Sequence, residues 1–163
     1  MKNILENKAD IAILLLRLTV GVVIFAHGAQ KLFGWFGGYG FTGTMGYFTG
    51  TVGLPYIVGF LVIIGESIGM IALALGLLTR FSALSLIVIM GGAFFIDHLH
   101  HGFYMNWFGQ NAGEGFEFDI LVVGAAAAIA ILGAGRYSAD AWISRVRLEA
   151  IAKNTTSSPQ TAR

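Results

Sequence analysis

Four apolar stretches, each close to the length needed to cross a bilayer, constrain this chain more than any other feature. They run over about residues 11–33, 54–78, 81–96 and 118–134. A helix rising about 1.5 Å per residue needs roughly 20 residues to cover about 30 Å of hydrocarbon. With 56% apolar and only 12% charged residues, a small water-soluble domain would be left with large exposed greasy patches. The pattern predicts an all-α integral membrane protein, a four-transmembrane-helix bundle with short interfacial helices and membrane lipid as its outer solvent. Spans and connections fill residues 1–153 as one domain, with an interfacial helix over about 138–153, and leave 154–163 as a disordered tail.

Charge narrows the function classes. A net charge of +1 gives no footprint for nucleic acid, and the absence of cysteine removes thiol redox chemistry, disulfides and thiolate metal sites. Any redox role therefore needs a bound cofactor. Lys2 and Lys8 ahead of an apolar run imitate the start of a signal peptide, but Arg17 interrupts the run and apolar residues resume from Leu18 to Phe25. The whole is too long for a signal h-region, which predicts a retained first helix. Lys2, Lys8, Arg80, Arg136, Arg145, Arg147 and Lys153 fall on one side of the spans and Lys31 alone on the other. Both termini are thus expected in the cytoplasm, with the loops 34–53 and 97–117 facing outward.

The flanks fit that placement. Trp35 and Trp107 are expected at the outer interface and Trp142 at the inner one. Ser138 is a candidate N-cap for the interfacial helix, whose Trp142, Ile143, Val146 and Ile151 would dip into lipid while Arg145, Arg147 and Lys153 meet headgroups. Residues 41–50 read as a brief helix that ends on glycine before Pro55 opens the second span. Gly38, Gly40 and Gly43 spell a G-x-G-x-x-G, but no strand precedes them and an aromatic loop follows, which rejects a dinucleotide fingerprint. Gly65 and Gly69 form a G-x-x-x-G that suits helix packing inside the bundle. The sequon Asn154-Thr155-Thr156 lies on a tail expected inside the cell.

A charge at the bilayer centre costs about 2.5–3.5 kcal/mol on insertion scales and is usually kept for a partner or a task. Arg17 and Glu66 are the obvious cases. Arg17, Gly21, Gly28 and Lys31 share roughly an 80° arc of the first helix at 100° per residue, a small and polar wall set to face Glu66, Ser67 and Gly69. An Arg17–Glu66 ion pair that pins helix register is the favoured reading, against Arg17 snorkelling to headgroups. A second cluster sits at the outer end, with His27, Gln30 and Lys31, then Asp97, His98, His100 and His101, then Glu114, Glu117 and Asp119. A helix continued through Asp97, His98 and His101 would present up to three potential ligands on one side, for a metal ion or a haem. The same groups suit hydrogen bonds to a quinone carbonyl, proton relay, or simply a hydrated helix end.

Arg17-Leu18, Gly21, Phe25, His27-Gly28, Gln30-Lys31-Leu32, Gly53-Leu54-Pro55, Glu66 with Gly69, and Gly76 with Thr79-Arg80 together resemble the DoxX family. The resemblance covers about Ala12 to Gly135. It implies a multi-pass protein of the bacterial cytoplasmic (inner) membrane, carried under an oxidoreductase label, with relatives tied to quinone-linked oxidation and oxidative stress. Arg17, His27, Lys31 and Glu66 are the residues to which it gives weight, while the Asp97–His101 cluster stays particular to this sequence or a subfamily.

The resulting expectation is a membrane subunit of a redox system that binds a quinone near the outer face and works with a partner redox enzyme, as a monomer or a homo-oligomer. Glu66, His27 and Lys31 would do the proton chemistry. His27, Gln30, Lys31, Trp35, Phe94 and His98 would hold the ligand, with Phe36 and Phe95 as further walls. A small-solute or ion transporter and a non-catalytic membrane scaffold are the competing readings.

Overall fold

The computed structural model describes residues 2–156, all-helical with no strand among them. Helix α1 (Lys2–Phe33) is followed by a 3-10 turn (Trp35–Gly37), α2 (Gly40–Gly46) and a π-helical turn (Tyr47–Thr51). The next rod runs through α3 (Tyr56–Ile64), a second π-helical turn (Gly65–Gly69) and α4 (Met70–Leu75). Then come α5 (Thr79–Ile96), a 3-10 turn (His98–His101), α6 (Glu117–Leu132) and α7 (Ala139–Thr156). Breaks in the sequence set these boundaries. Pro55 has the φ of −56° that leads into α3, Gly76 at φ 71° closes α4, and Gly133 at φ 86° ends α6.

Val20 and Ile24 of α1, Met70 and Leu73 of α4, Leu86 and Met90 of α5, and Val122 and Ile129 of α6 meet in one core. The outer face is as apolar as the core: Leu15, Val22, Leu61, Phe81, Val88, Leu121 and Ile131 are all exposed, while Arg17, Glu66 and Asp119 are buried. Water would penalise that distribution and hydrocarbon favours it. Three helices, Asn7–Phe33, Tyr56–Leu75 and Thr79–Ile96, are long and apolar enough to cross a membrane. The fourth differs from the expected 118–134 stretch: α6 has 16 residues, about 24 Å at 1.5 Å per residue, because Gly133 breaks the helix. Of the tail expected from residue 154, residues 154–156, which hold the sequon, close α7, and the remainder lies outside the described residues.

Glycine lets α1 lie against the α3–α4 rod. A Cβ on Gly21 would stand 2.9 Å from Ala74 Cβ and 3.0 Å from the Met70 carbonyl, and one on Gly28 would collide with the backbone of Glu66 and Ser67. The G-x-x-x-G pair behaves differently from a packing motif. Gly65 faces Ile89 of α5, but Gly69 meets nothing closer than the Ile64 carbonyl of its own rod. The π-helical turn has more than 3.6 residues per turn, so residues four apart no longer stack on one face.

At the opposite end from the two long loops, three chain segments are knotted. Asp140 accepts hydrogen bonds from the Leu78 amide (2.9 Å), the Thr79 amide (3.0 Å) and the Thr79 hydroxyl (2.9 Å), and so caps α5 from α7. Leu78, at φ 48°, holds a left-handed conformation there. Asp10 accepts from the Arg136 amide, and the Tyr137 hydroxyl donates to Asn7. Ser138 caps α7 as expected, its Oγ accepting from the Ala141 amide at 3.1 Å. Around α7, however, Trp142, Ile143, Val146 and Leu148 and the basic Arg145 and Arg147 interleave rather than sort onto two faces at 100° per residue.

Two outcomes follow from this packing. Gly28→Ala should cost about 1–3 kcal/mol by overpacking, whereas Gly124→Ala, where a Cβ meets nothing, should be neutral or gain up to about 1 kcal/mol of helix propensity. Thermal melts in detergent read both. Burial raises the Asp140 carboxyl, but the Thr79 and Leu78 hydrogen bonds and the Arg17 charge outweigh it and hold it below the usual carboxylate range. A depressed folded value means stability present above the unfolded pKa of about 3.9 and lost as pH falls through the folded one. Wild-type protein should therefore lose more stability than Asp140→Asn on acidification below about pH 4, with the two melting curves converging.

Candidate functional site

Side chains on a helix lean toward its N-terminus, and that one rule separates the two cations of α1. Arg17 reaches back toward the knotted end, where it is fully buried (0% exposed) and its Nη2 donates to the Tyr137 carbonyl at 2.7 Å. Its guanidinium lies over Gly76, at the C-terminal end of α4. The partial negative charge of that terminus helps to hold a cation whose Nε and Nη1 have no hydrogen-bond partner among the described residues. The expected Arg17–Glu66 pair therefore does not form. Lys31 also leans back along α1, and this brings its ammonium onto Glu66, with which it makes the ion pair. Glu66 is 6% exposed and lies in the π-helical turn, its backbone pressed against Gly28. Beside it, the Ser67 hydroxyl donates to the Ile63 carbonyl at 2.6 Å.

α2 and the turn after it fold back over this pair. Together they leave an open hollow of about 530 Å³ lined by Gln30, Lys31, Tyr39, Thr44, Tyr47 and Phe48, with Gly37, Gly38 and Gly43 between them. Gly38 sits against the Gln30 backbone so closely that a Cβ would collide with it, which lets the loop descend onto Lys31. The Gln30 amide donates weakly to the Phe36 carbonyl at 3.4 Å, so that donor is readily given up to another acceptor. The walls are aromatic and the floor is polar.

The remaining predicted residues lie elsewhere. Trp35 is exposed and rests on Phe33 and Phe36. His27 is exposed on α1, its ring 5.9 Å from that of Phe118, and it makes no hydrogen bond to Glu66 or Lys31. Phe94 packs on Phe95 and Phe116. The helix expected to continue through Asp97, His98 and His101 tightens into a 3-10 turn after Asp97, whose φ and ψ are −129° and −64°. His98 Nδ1 then pairs with Asp119 of α6 at 2.6 Å and His101 Nε2 with Asp97 at 3.2 Å. The three expected ligands do not converge, and among the described residues no group of three or more His, Asp or Glu is set to hold a metal ion. Glu114 and Glu117 fasten the second loop instead, Glu117 accepting from the Met105 amide and the Trp107 indole and Glu114 from the Asn106 amide.

Sequence reasoning missed Tyr39, Thr44, Tyr47 and Phe48 as lining of this hollow, because only the fold-back of α2 brings them over Lys31. It also passed over Asp119 as the partner of His98, although a lone carboxylate in an apolar span is the same signal that drew attention to Glu66.

The family model described as DoxX matches residues 12–99. A Bacillus subtilis (strain 168) protein named "Putative oxidoreductase CatD" is 28% identical over 138 residues, which cover 84% of this chain and 91% of that protein. No solved structure matches the chain.

The Lys31–Glu66 pair gives a direct test. Lys31→Met should destabilise by leaving a buried carboxylate unpaired, and adding Glu66→Gln should recover much of the loss. A double-mutant cycle on melting in detergent should return a coupling of roughly 0.5–3 kcal/mol, and additive losses would show that the two groups do not interact.

Proposed function

The chain belongs to the DoxX family, and from that premise we propose that it is the membrane subunit of a redox system, taking a quinone-like ring into the hollow over Lys31. In this reading the chain lies in the bacterial cytoplasmic membrane with both termini inside, α6 forms the fourth span, and electrons pass to or from a partner oxidoreductase. The relative named as an oxidoreductase supports the redox class. The observation that carries the ligand class is the hollow itself, with rings on its walls and the donors of Gln30 and Lys31 beneath them.

The residues divide the work. Tyr39, Tyr47 and Phe48 offer ring faces and edges to a flat ligand, and Gln30 Nε2 and Lys31 Nζ offer donors to its oxygen atoms. An ammonium beside such an oxygen favours the negative charge that builds there on reduction. Glu66 then has a task in each state: it holds Lys31 while the hollow is empty, and accepts or returns a proton once Lys31 turns to the ligand. His27 is outside the hollow and serves at most its rim. Transport and scaffold readings draw less support, since Arg17 and Glu66 are engaged at different depths with different partners and outline no shared pathway.

The test is titration of the purified protein in detergent with decylubiquinone, followed by tryptophan fluorescence and melting temperature. Saturable binding is expected, weakened about tenfold in Lys31→Met and Gln30→Leu, in keeping with about 1.4 kcal/mol for a hydrogen bond to a polar ligand atom. No saturable binding, or equal binding in Lys31→Met, would remove the proposal.

A further inference from the structure

We propose that His98 and Asp119 form a second site, separate from the hollow, in which His98 Nε2 takes the proton of an aromatic hydroxyl compound of the phenol or hydroquinone class. The pair joins the end of α5 to the first turn of α6. Asp119 is 1% exposed, and its Oδ2 lies 2.6 Å from His98 Nδ1. A carboxylate at Nδ1 puts the ring proton on that nitrogen and leaves Nε2 with its lone pair. Among the described residues Nε2 has no hydrogen-bond partner, and the His98 side chain is 23% exposed, so a ligand can reach the ring. The other carboxylate oxygen, Asp119 Oδ1, is buried with no hydrogen-bond partner among the described residues. The imidazole across the 2.6 Å bond is thus the group that answers this carboxyl, and a positive ring would answer it more strongly than a neutral one. The pair is therefore built to receive a proton.

Its surroundings select the ligand. Where His98 meets Asp119, the same α5–α6 junction carries an unbroken run of ring contacts. Phe95 to Phe94 is 4.8 Å, Phe94 to Phe116 is 5.1 Å, Phe116 to Phe103 is 5.4 Å and Phe103 to Tyr104 is 5.1 Å. Phe95, Phe103 and Tyr104 are exposed and have ring surface left to offer. No Lys or Arg lies between residues 97 and 117 to attract a purely anionic solute. A neutral aromatic ring that arrives with its O–H intact matches both features. In the step itself the ligand O–H bond breaks, an Nε2–H bond forms, and no electron moves. The resulting phenolate is held beside the new imidazolium.

The probe is 4-nitrophenol, whose visible absorption reports its phenolate form, added to the purified full chain in detergent at a pH where the free dye is mostly protonated. Wild-type protein should show a saturable phenolate band above that of detergent alone. His98→Gln should lose at least several-fold of it, and Asp119→Asn should lose it too. Nitrogen NMR of His98 should show the single Nδ1–H tautomer in wild type and a mixture in Asp119→Asn. If Asp119→Asn fails to fold, His98→Gln and the wild-type tautomer decide alone. No band above detergent, an equal band in His98→Gln, or an Nε2–H tautomer in wild type would overturn the proposal. So would a band lost in Lys31→Met and kept in His98→Gln, which would put the dye in the hollow. Since the dye reports proton transfer without redox, failure here leaves the quinone reading of the hollow standing.

Discussion

The approach of α1 to the π-helical turn at Gly28 sets the rest of the molecule. With no Cβ at residue 28, the backbone of α1 comes within contact of Glu66 and Ser67, and only then can a lysine one turn further along lean back onto the Glu66 carboxylate. A larger residue would push the rod away, widen the gap and strand a buried carboxylate. The cost of that stranded charge, rather than the worth of the ion pair itself, is what couples the helix packing to the site.

A single direction along α1 sorts its charges. Arg17 and Lys31 are 14 residues apart, about 21 Å at 1.5 Å per residue, and both lean toward the N-terminus. Arg17 consequently belongs to the knot that ties α4, α5 and α7 together, where Tyr137 supplies a carbonyl and Asp140 a counter-charge. Lys31 belongs to the opposite, loop-covered end. The first ties helix ends together and the second lines the hollow, although the two look alike as intramembrane cations in the sequence.

That distinction marks what was legible beforehand. Hydropathy showed where the helices run, and glycine and proline showed their ends to within a few residues, because both signals are local. The stripe Arg17, Gly21, Gly28 and Lys31 was legible in part, as it needs only helical periodicity: Gly28 and Lys31 do meet Glu66, while Gly21 meets Met70 and Ala74. The partner of each charge was not, since partner choice depends on which way a long side chain leans and on the π-helical turn, which no periodic pattern announces. Asp97, His98 and His101 do not converge for a related reason: the reading assumed α-helical geometry where the chain tightens into a 3-10 turn, and it drew its ligands from one segment while Asp119 of the next helix holds His98. Tyr39, Tyr47 and Phe48 could be seen as aromatic, but only tertiary folding brings them over Lys31.

Two polar junctions result at the loop-covered end, and their construction differs in a way that bears on what each can do. Lys31 and Glu66 are paired through Nζ and Oε2, so a ligand of the proposed kind would have to compete with an ion pair already made. His98 and Asp119 share one strong bond and leave a carboxylate oxygen and an imidazole nitrogen over, so a proton can be added without breaking anything. A site that gives up a bond to bind gains selectivity at the expense of affinity. The exposed ring of His27 on Phe118 lies beside the second junction, and it is one turn of α1 from the first.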